Sequence, residues 1–339
     1  MTIAGHSGVI NHMRLTRPLA ILAALVAATS AFAQFTQDQK QEVLSEIDQV
    51  LSKKAFVPGV DMSKWNTFIA SRKDQIDAVE SPGQFAGVVN GALREFGISH
   101  ILLLRDRMHR WGGDDSLGAQ GRMIRQPRVP ALGWPEPETA LLRIPSFEGT
   151  YDQEGVAELM DEAKDAKNLI VDLRGDPGGE VENMRQFLGL LMPANSLVGT
   201  FVSRGMADHF AASDGVGNDP IKIAAWAHNE FHPTSSGIEP FKGHIAVLVD
   251  SGSASAAEIV ANALHEIRNS PIIGTPTAGA VLESTFGRLS YGFRIQFPVG
   301  DYVSHGGARL EGHPLKPDVI ANSDAAVDAA IARLKATNP

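Results

Sequence analysis

Residues Ile245-Ala-Val-Leu-Val-Asp-Ser-Gly-Ser-Ala-Ser-Ala-Ala-Glu258 read as a buried strand that runs through a turn of small residues straight into a helix. The unbroken apolar run Ile245 to Val249 is what a strand covered on both faces requires. Beyond the turn, Ile259, Ala263, Leu264 and Ile267 recur as the stripe of a helix packed against that strand. A hydroxyl at such a junction lies beside unpaired backbone N–H groups and the positive end of the helix dipole, where developing negative charge is stabilised. Ser251, Ser253 and Ser255 are candidate nucleophiles on that ground. Equally, three serines among small residues make a helix cap with a flexible approach.

Strands and helices alternate on either side of this segment. Leu141 to Ile144 and Leu169 to Leu173 read as strands, and Val156, Leu159, Met160 and Ala163 mark a helix between them. The turn Arg174-Gly-Asp-Pro-Gly-Gly179 leads into a second helix carrying Val181, Met184, Phe187, Leu188 and Leu191. Phe201-Val202 begins a strand, and Gly205 to Pro240 reads as an irregular insertion with His209, His228 and His232. Downstream come Ile272-Ile273, the alternating strand Phe293 to Phe297, a turn over Pro298 to Asp301, Tyr302-Val303, and a helix with Val327, Ala330, Ile331 and Leu334. The pattern predicts an α/β layer protein with its core over residues 140–339.

Residues 34–100 are expected to form a helical subdomain of roughly three helices. Thr36 with Gln39 resembles a capping box, and Ser81-Pro82-Gly83-Gln84 is a sharper one; Gly97 ends the second helix. After a strand expected from Ile101 to Leu104, residues up to 139 read as a loop-rich linker with a short hairpin, Trp111-Gly-Gly-Asp-Asp115 forming a turn. That stretch is too short for an independent module.

Residues 1–33 read as a signal peptide: Met13-Arg-Leu-Thr-Arg17 is a basic start, Leu19 to Ala28 a short apolar run, and Ala31-Phe-Ala33 a small-x-small cleavage site. The run is too short to span a membrane. Cleavage before Gln34 and export to the periplasm or medium are expected. Losing two arginines and no acid takes the net charge from -9 to -11, which argues against nucleic acid as a partner. Cysteine is absent, excluding disulfides, a thiolate nucleophile and Cys-based metal sites. His265-Glu266 lacks the second histidine of a zinc-protease motif, and His305 and His313 are scattered, so neither metal nor cofactor is expected.

The glycines of Arg174 to Gly179 let a substrate approach the backbone and leave N–H groups free, as an oxyanion hole needs; they also suit an ordinary tight turn. The turn lacks the G-x-G-x-x-G fingerprint and the Gly-Lys-Ser/Thr of a phosphate loop. Four blocks in order, Asp172 to Gly179, Val249 to Glu258, Gly274-Thr-Pro-Thr-Ala-Gly279 and Leu310 to Asp318, resemble the signature of the tail-specific, or C-terminal-processing, serine peptidase family, which includes the tricorn core. The resemblance implies a ClpP/crotonase-like core of repeated strand-strand-helix units. It places the nucleophile at Ser255 and the oxyanion donors at Gly178 or Gly179 and at Ala256. The processing branch uses a Ser/Lys dyad, but Ala280 stands at the lysine's place and no lysine occurs between Lys242 and Lys316. The tricorn-like branch uses a histidine instead, and Ser99, His100 and Glu311 match its pattern. His100 is then the base, Glu311 its orienter, with Glu283 or Asp301 as substitutes, and Ser99 a supporting group.

The implied activity is hydrolysis of peptides or unfolded chains, with no PDZ module between the helices and the core. Specificity would then come from the core, the 205–240 insertion, or a partner in a homo-oligomer. The competing reading is a non-catalytic ligand or peptide binder on the same scaffold.

Overall fold

The computed structural model describes residues 35–105, 129–214 and 218–337. The expected signal peptide and the Trp111 to Asp115 turn lie outside them. The described chain opens with helix α1 (Gln37–Lys53), whose Thr36 hydroxyl accepts from Gln39 N while the Gln39 side chain accepts from Thr36 N. That is the reciprocal cap read from the sequence. Helices α2 (Trp65–Ala70), α3 (Lys73–Ala78) and α4 (Pro82–Phe96) follow, so four α-helices form among the described residues where about three were expected. The Ser81–Gln84 box starts α4, and Gly97, at φ 79, ends it in the left-handed conformation.

Strand β1 (Leu102–Arg105) comes next, then an antiparallel hairpin of β2 (Ala131–Glu136) and β3 (Thr139–Arg143). The chain continues through α5 (Gln153–Glu162), β4 (Asn168–Asp172), α6 (Val181–Leu191) and β5 (Gly199–Ser203). Helices α7 (Arg204–Asp214) and α8 (Pro220–Ala227) occupy the segment read as irregular, a correction to that expectation. Then come β6 (His244–Val249), α9 (Ala256–Arg268), β7 (Ile272–Gly274), β8 (Leu282–Arg288), β9 (Phe293–Ser304), β10 (Val319–Ile320) and α10 (Ala326–Thr337).

The expected α/β architecture is the one observed. Six strands in the order β10-β7-β6-β4-β3-β2 form a sheet that is parallel except for β2. A second, antiparallel sheet has β1 and β5 on either side of β9, with β8 also paired to β9. Successive residues of a strand face opposite ways. Val247 and Val249 of β6 accordingly enter a core with α5, α6 and α9, whereas Ala246 and Leu248 enter another with α10. Two cores explain why β6 is apolar at every position from Ile245 to Val249. Helices α1 to α4 pack on the second sheet, where Phe35, Phe85 and Phe293 meet in tilted and edge-on contacts beside buried Ile295 and Phe297. Carboxyl ends of parallel strands are where α/β sheets present their sites. At those of β4 and β6 lie the glycine turn and the serine loop.

Candidate active site

These two loops are fastened to each other. Leu173 N donates to Leu248 O, Ala254 N to Asp176 O, and Gly175 N to the Asp250 carboxylate, while the Ser253 hydroxyl donates to Leu173 O. The three serines thereby separate. Ser253 is buried structural cement, Ser251 is exposed, and Ser255 is the residue whose Oγ lies 3.2 Å from His100 Nε2. Ser255 holds φ 55 and ψ -119, and His100 also has a positive φ of 58. Left-handed backbone at two non-glycine residues costs on the order of 1–3 kcal/mol each and persists only where the surroundings enforce it.

Glu258, fully buried in the first turn of α9, enforces it for Ser255. Its carboxylate accepts from Ser255 N, Thr277 Oγ1, Gly279 N and Ala280 N, and Ser255 N is shared with Ala280 O. Burial raises the Glu258 pKa, and these four donors pull against the rise. The Thr277–Ala280 segment is in turn zipped to the Glu311 segment: Gly312 N donates to Gly279 O, Thr277 N to Leu315 O, and Val281 N to Glu311 Oε2 at 2.7 Å. The third and fourth sequence blocks are thus adjacent in space.

Gly97 stops α4 and the chain turns at Ser99-His100 toward the serine, 155 positions downstream. Ser99 Oγ is 2.7 Å from His100 Nδ1 and donates to Glu311 Oε2 at 2.9 Å; Ser99 N donates to Glu311 Oε1 at 3.3 Å. The protons can be followed through this chain. Glu311 is acceptor-only as a carboxylate, so the one Ser99 hydroxyl proton goes to it. Ser99 Oγ must then accept from His100 Nδ1–H, which leaves the Nε2 lone pair toward Ser255. Glu311 therefore reaches the imidazole through Ser99 and not directly, which differs from the expected orienting contact. His100 has its pKa lowered by burial, against an opposing pull from Glu311, and so is neutral at neutral pH.

The substitutes for Glu311 are engaged elsewhere. Asp301 is paired with Arg309 and accepts from Tyr302 N, and Glu283 lies against Gly300 on β8 and β9. Ala280 sits where a lysine was sought, its carbonyl accepting from Ser255 N. His265 Nδ1 faces Ser270 O and His313 Nδ1 faces Glu311 O, both backbone carbonyls.

Of the expected oxyanion donors, Gly178 N is taken: it donates to Asp176 Oδ1 at 2.8 Å. Gly179 N and Ala256 N form no hydrogen bond within the described residues. Gly178 itself abuts the nucleophile, since a Cβ there would stand 2.7 Å from Ser255 Cβ. Asp176, the residue that decides between the two glycines, was not singled out in the sequence. Its only signal there was an acid inside a Pro-Gly-Gly turn.

The model of peptidase family S41 matches residues 138–321, just over half of the chain. The carboxy-terminal processing protease CtpA of Bacillus subtilis is 30% identical over 182 residues, which are 53% of this chain and 34% of that protein. The chain spans about a third of the length of the curated relatives it matches. Among solved structures, a lipoprotein from Streptococcus agalactiae is similar at TM-score 0.59 and 18% identity, over 88% of this chain and 96% of that one. The tricorn protease is similar at TM-score 0.57 and 13% identity, over 88% of this chain and 37% of its own. At such identities both speak for the fold alone. The family match takes in the glycine turn, Ser255 and Glu311 together, and by it the chain belongs to peptidase family S41.

Proposed function

We propose that this protein is an exported serine peptidase that hydrolyses peptide bonds in peptides or unfolded chains, using Ser255, His100, Ser99 and Glu311. The observation that carries the reading is the 3.2 Å approach of His100 Nε2 to Ser255 Oγ, in a chain with alanine where a lysine base would stand. In the first step Ser255 Oγ attacks the peptide carbonyl carbon and His100 Nε2 takes its proton. The negative oxygen of the tetrahedral intermediate is met by Gly179 N and Ala256 N. His100 then protonates the departing amine, leaving an acyl-Ser255 ester that water hydrolyses with His100 as base again. Ser99 and Glu311 hold the imidazole in the tautomer that accepts at Nε2 and stabilise the imidazolium. On this reading the catalytic apparatus belongs with the histidine-using tricorn branch rather than with the Ser/Lys proteases.

A fluorophosphonate probe tests the proposal. The folded protein is expected to be labelled stoichiometrically, with the adduct on the peptide containing Ser255 in a mass map. No labelling would sink the peptidase reading in favour of a binder, and an adduct on Ser251 or Ser253 would sink the residue assignment.

Ser99→Ala probes the relay. It removes the acceptor for His100 Nδ1–H and one donor to Glu311, so the wrong tautomer becomes populated. The expected labelling rate is about 10²- to 10⁴-fold lower, by analogy with tautomer loss in other triads. A rate within twofold of wild type would mean that the relay does not orient His100.

A further inference from the structure

Asp176 is a buried ionisable group that the proposed reaction leaves unused. It lies in the turn between β4 and α6 with no exposed surface. Its Oδ1 accepts from Gly178 N, and its Oδ2 has no hydrogen-bond partner among the described residues. A buried carboxylate oxygen without a donor is a costly anion and a tolerable acid. Burial pushes this carboxyl up to about 8, with the Gly178 N–H opposing.

Beyond the Gly178 N–H, the neighbours do nothing to offset that cost. Tyr151, ahead of α5, feels the Asp176 charge, but burial holds its hydroxyl far above the ordinary tyrosine range and the hydroxyl donates to Gln186. In the same turn Arg174 is committed to Asp172. On the serine loop the Asp250 carboxylate is taken by Gly175 N and Gly252 N, and on α9 Glu258 is taken by its four donors. No cation pairs with Asp176 among the described residues. The one partner of its carboxyl, Gly178, is the residue packed against Ser255 Cβ and Ala256 N, the nucleophile and an oxyanion donor.

We propose that Asp176 is a positioning residue for the oxyanion site, holding Gly178 so that Gly179 N and Ala256 N face the reacting oxygen, and doing so as the neutral acid, so that its ionisation slows acylation of Ser255. An unpaired carboxylate held one hydrogen bond from the glycine that abuts Ser255 repels an oxyanion forming there, because the two charges have the same sign. The inference rests on the peptidase reading. The rate rises as His100 loses its proton and falls again as the pH passes about 8, where Asp176 ionises. Asp176→Asn keeps an oxygen for Gly178 N–H and removes the titration.

The experiment measures two quantities against pH, on wild type and on Asp176→Asn. One is the fluorophosphonate labelling rate and the other the amide proton shift of Gly178 by NMR. In wild type the Gly178 shift is expected to titrate near pH 8, with the labelling rate falling roughly tenfold over the same interval. In Asp176→Asn both changes disappear. A Gly178 shift that stays flat in wild type overturns the proposal whether or not the Asn variant folds. So does a wild-type rate that stays level while Gly178 titrates, or an alkaline fall that survives in Asp176→Asn. Absence of labelling at every pH, with the Gly178 titration intact, sinks the peptidase reading instead and the catalytic role of Asp176 with it.

Discussion

The His100→Ala protein is expected to react with a fluorophosphonate on the order of 10⁶-fold more slowly than wild type, a loss of the size seen when a triad histidine is removed. Without an acceptor at Nε2, Ser255 attacks as a neutral hydroxyl, and the remaining acceleration comes from the oxyanion donors alone. His100 is only partly buried, so truncation leaves a small cavity, although alanine inherits an unfavourable φ of 58. His100→Gly accepts that backbone conformation and serves as the second variant. The wild-type pH profile carries the same assignment. The working form is the neutral imidazole, and burial lowers its pKa from the ordinary 6.5, so the acid limb of the labelling rate should lie below that value. The sign for stability follows. A histidine with a depressed folded pKa is neutral in both states above 6.5, and its stabilising contribution is lost as the pH falls below that value toward its folded pKa. An unchanged labelling rate in both variants would show that His100 is not the base.

What could be read from the chain was what local pattern determines. Capping residues around α1 and α4, the apolar run of β6 and the stripe of α9 each signal their element within a few residues. Pro298 was misleading for a physical reason. It suggested a turn, yet β9 runs through it, because β8 shifts register between Glu283 and Ser284 just where Pro298 pairs. Proline is tolerated at such an irregularity, since the ladder has no bond to lose there. Helices α7 and α8 were read as irregular, though Asp219 capping Ile221 N ahead of Pro220 was a start signal in the sequence. At the site, block order pointed to Ser255, and His100 came from the Ser-His pattern of the tricorn-like branch together with the missing lysine. The insertion of Ser99 between His100 and Glu311 was not legible, because it depends on a contact across 212 positions. Nor was the capture of Gly178 N–H by Asp176, since a hydrogen bond two residues long leaves no mark on composition or period.

Glu258→Ala should be the most damaging substitution for stability near the site. Four donors, Ser255 N, Thr277 Oγ1, Gly279 N and Ala280 N, end on this one fully buried carboxylate. Ser255 N keeps Ala280 O, but the other three donors lose their partner at about 1–3 kcal/mol each, so even the low end gives a loss of about 3 kcal/mol before any cavity term. That is a large share of the roughly 5–15 kcal/mol by which a domain is stable. The thermal midpoint should fall by on the order of 10 °C. Glutamine is not a remedy. One carboxylate oxygen receives Thr277 Oγ1 and Gly279 N, the other Ser255 N and Ala280 N, so an amide NH₂ at either end faces a backbone N–H that cannot turn away. Glu258→Gln should therefore recover only part of the loss, and its labelling rate should stay depressed even where it is folded, because the φ of 55 at Ser255 is held through Ser255 N and the Ala280 segment. A glutamine variant with wild-type melting and wild-type labelling would show that the strained serine is held by something other than this carboxylate.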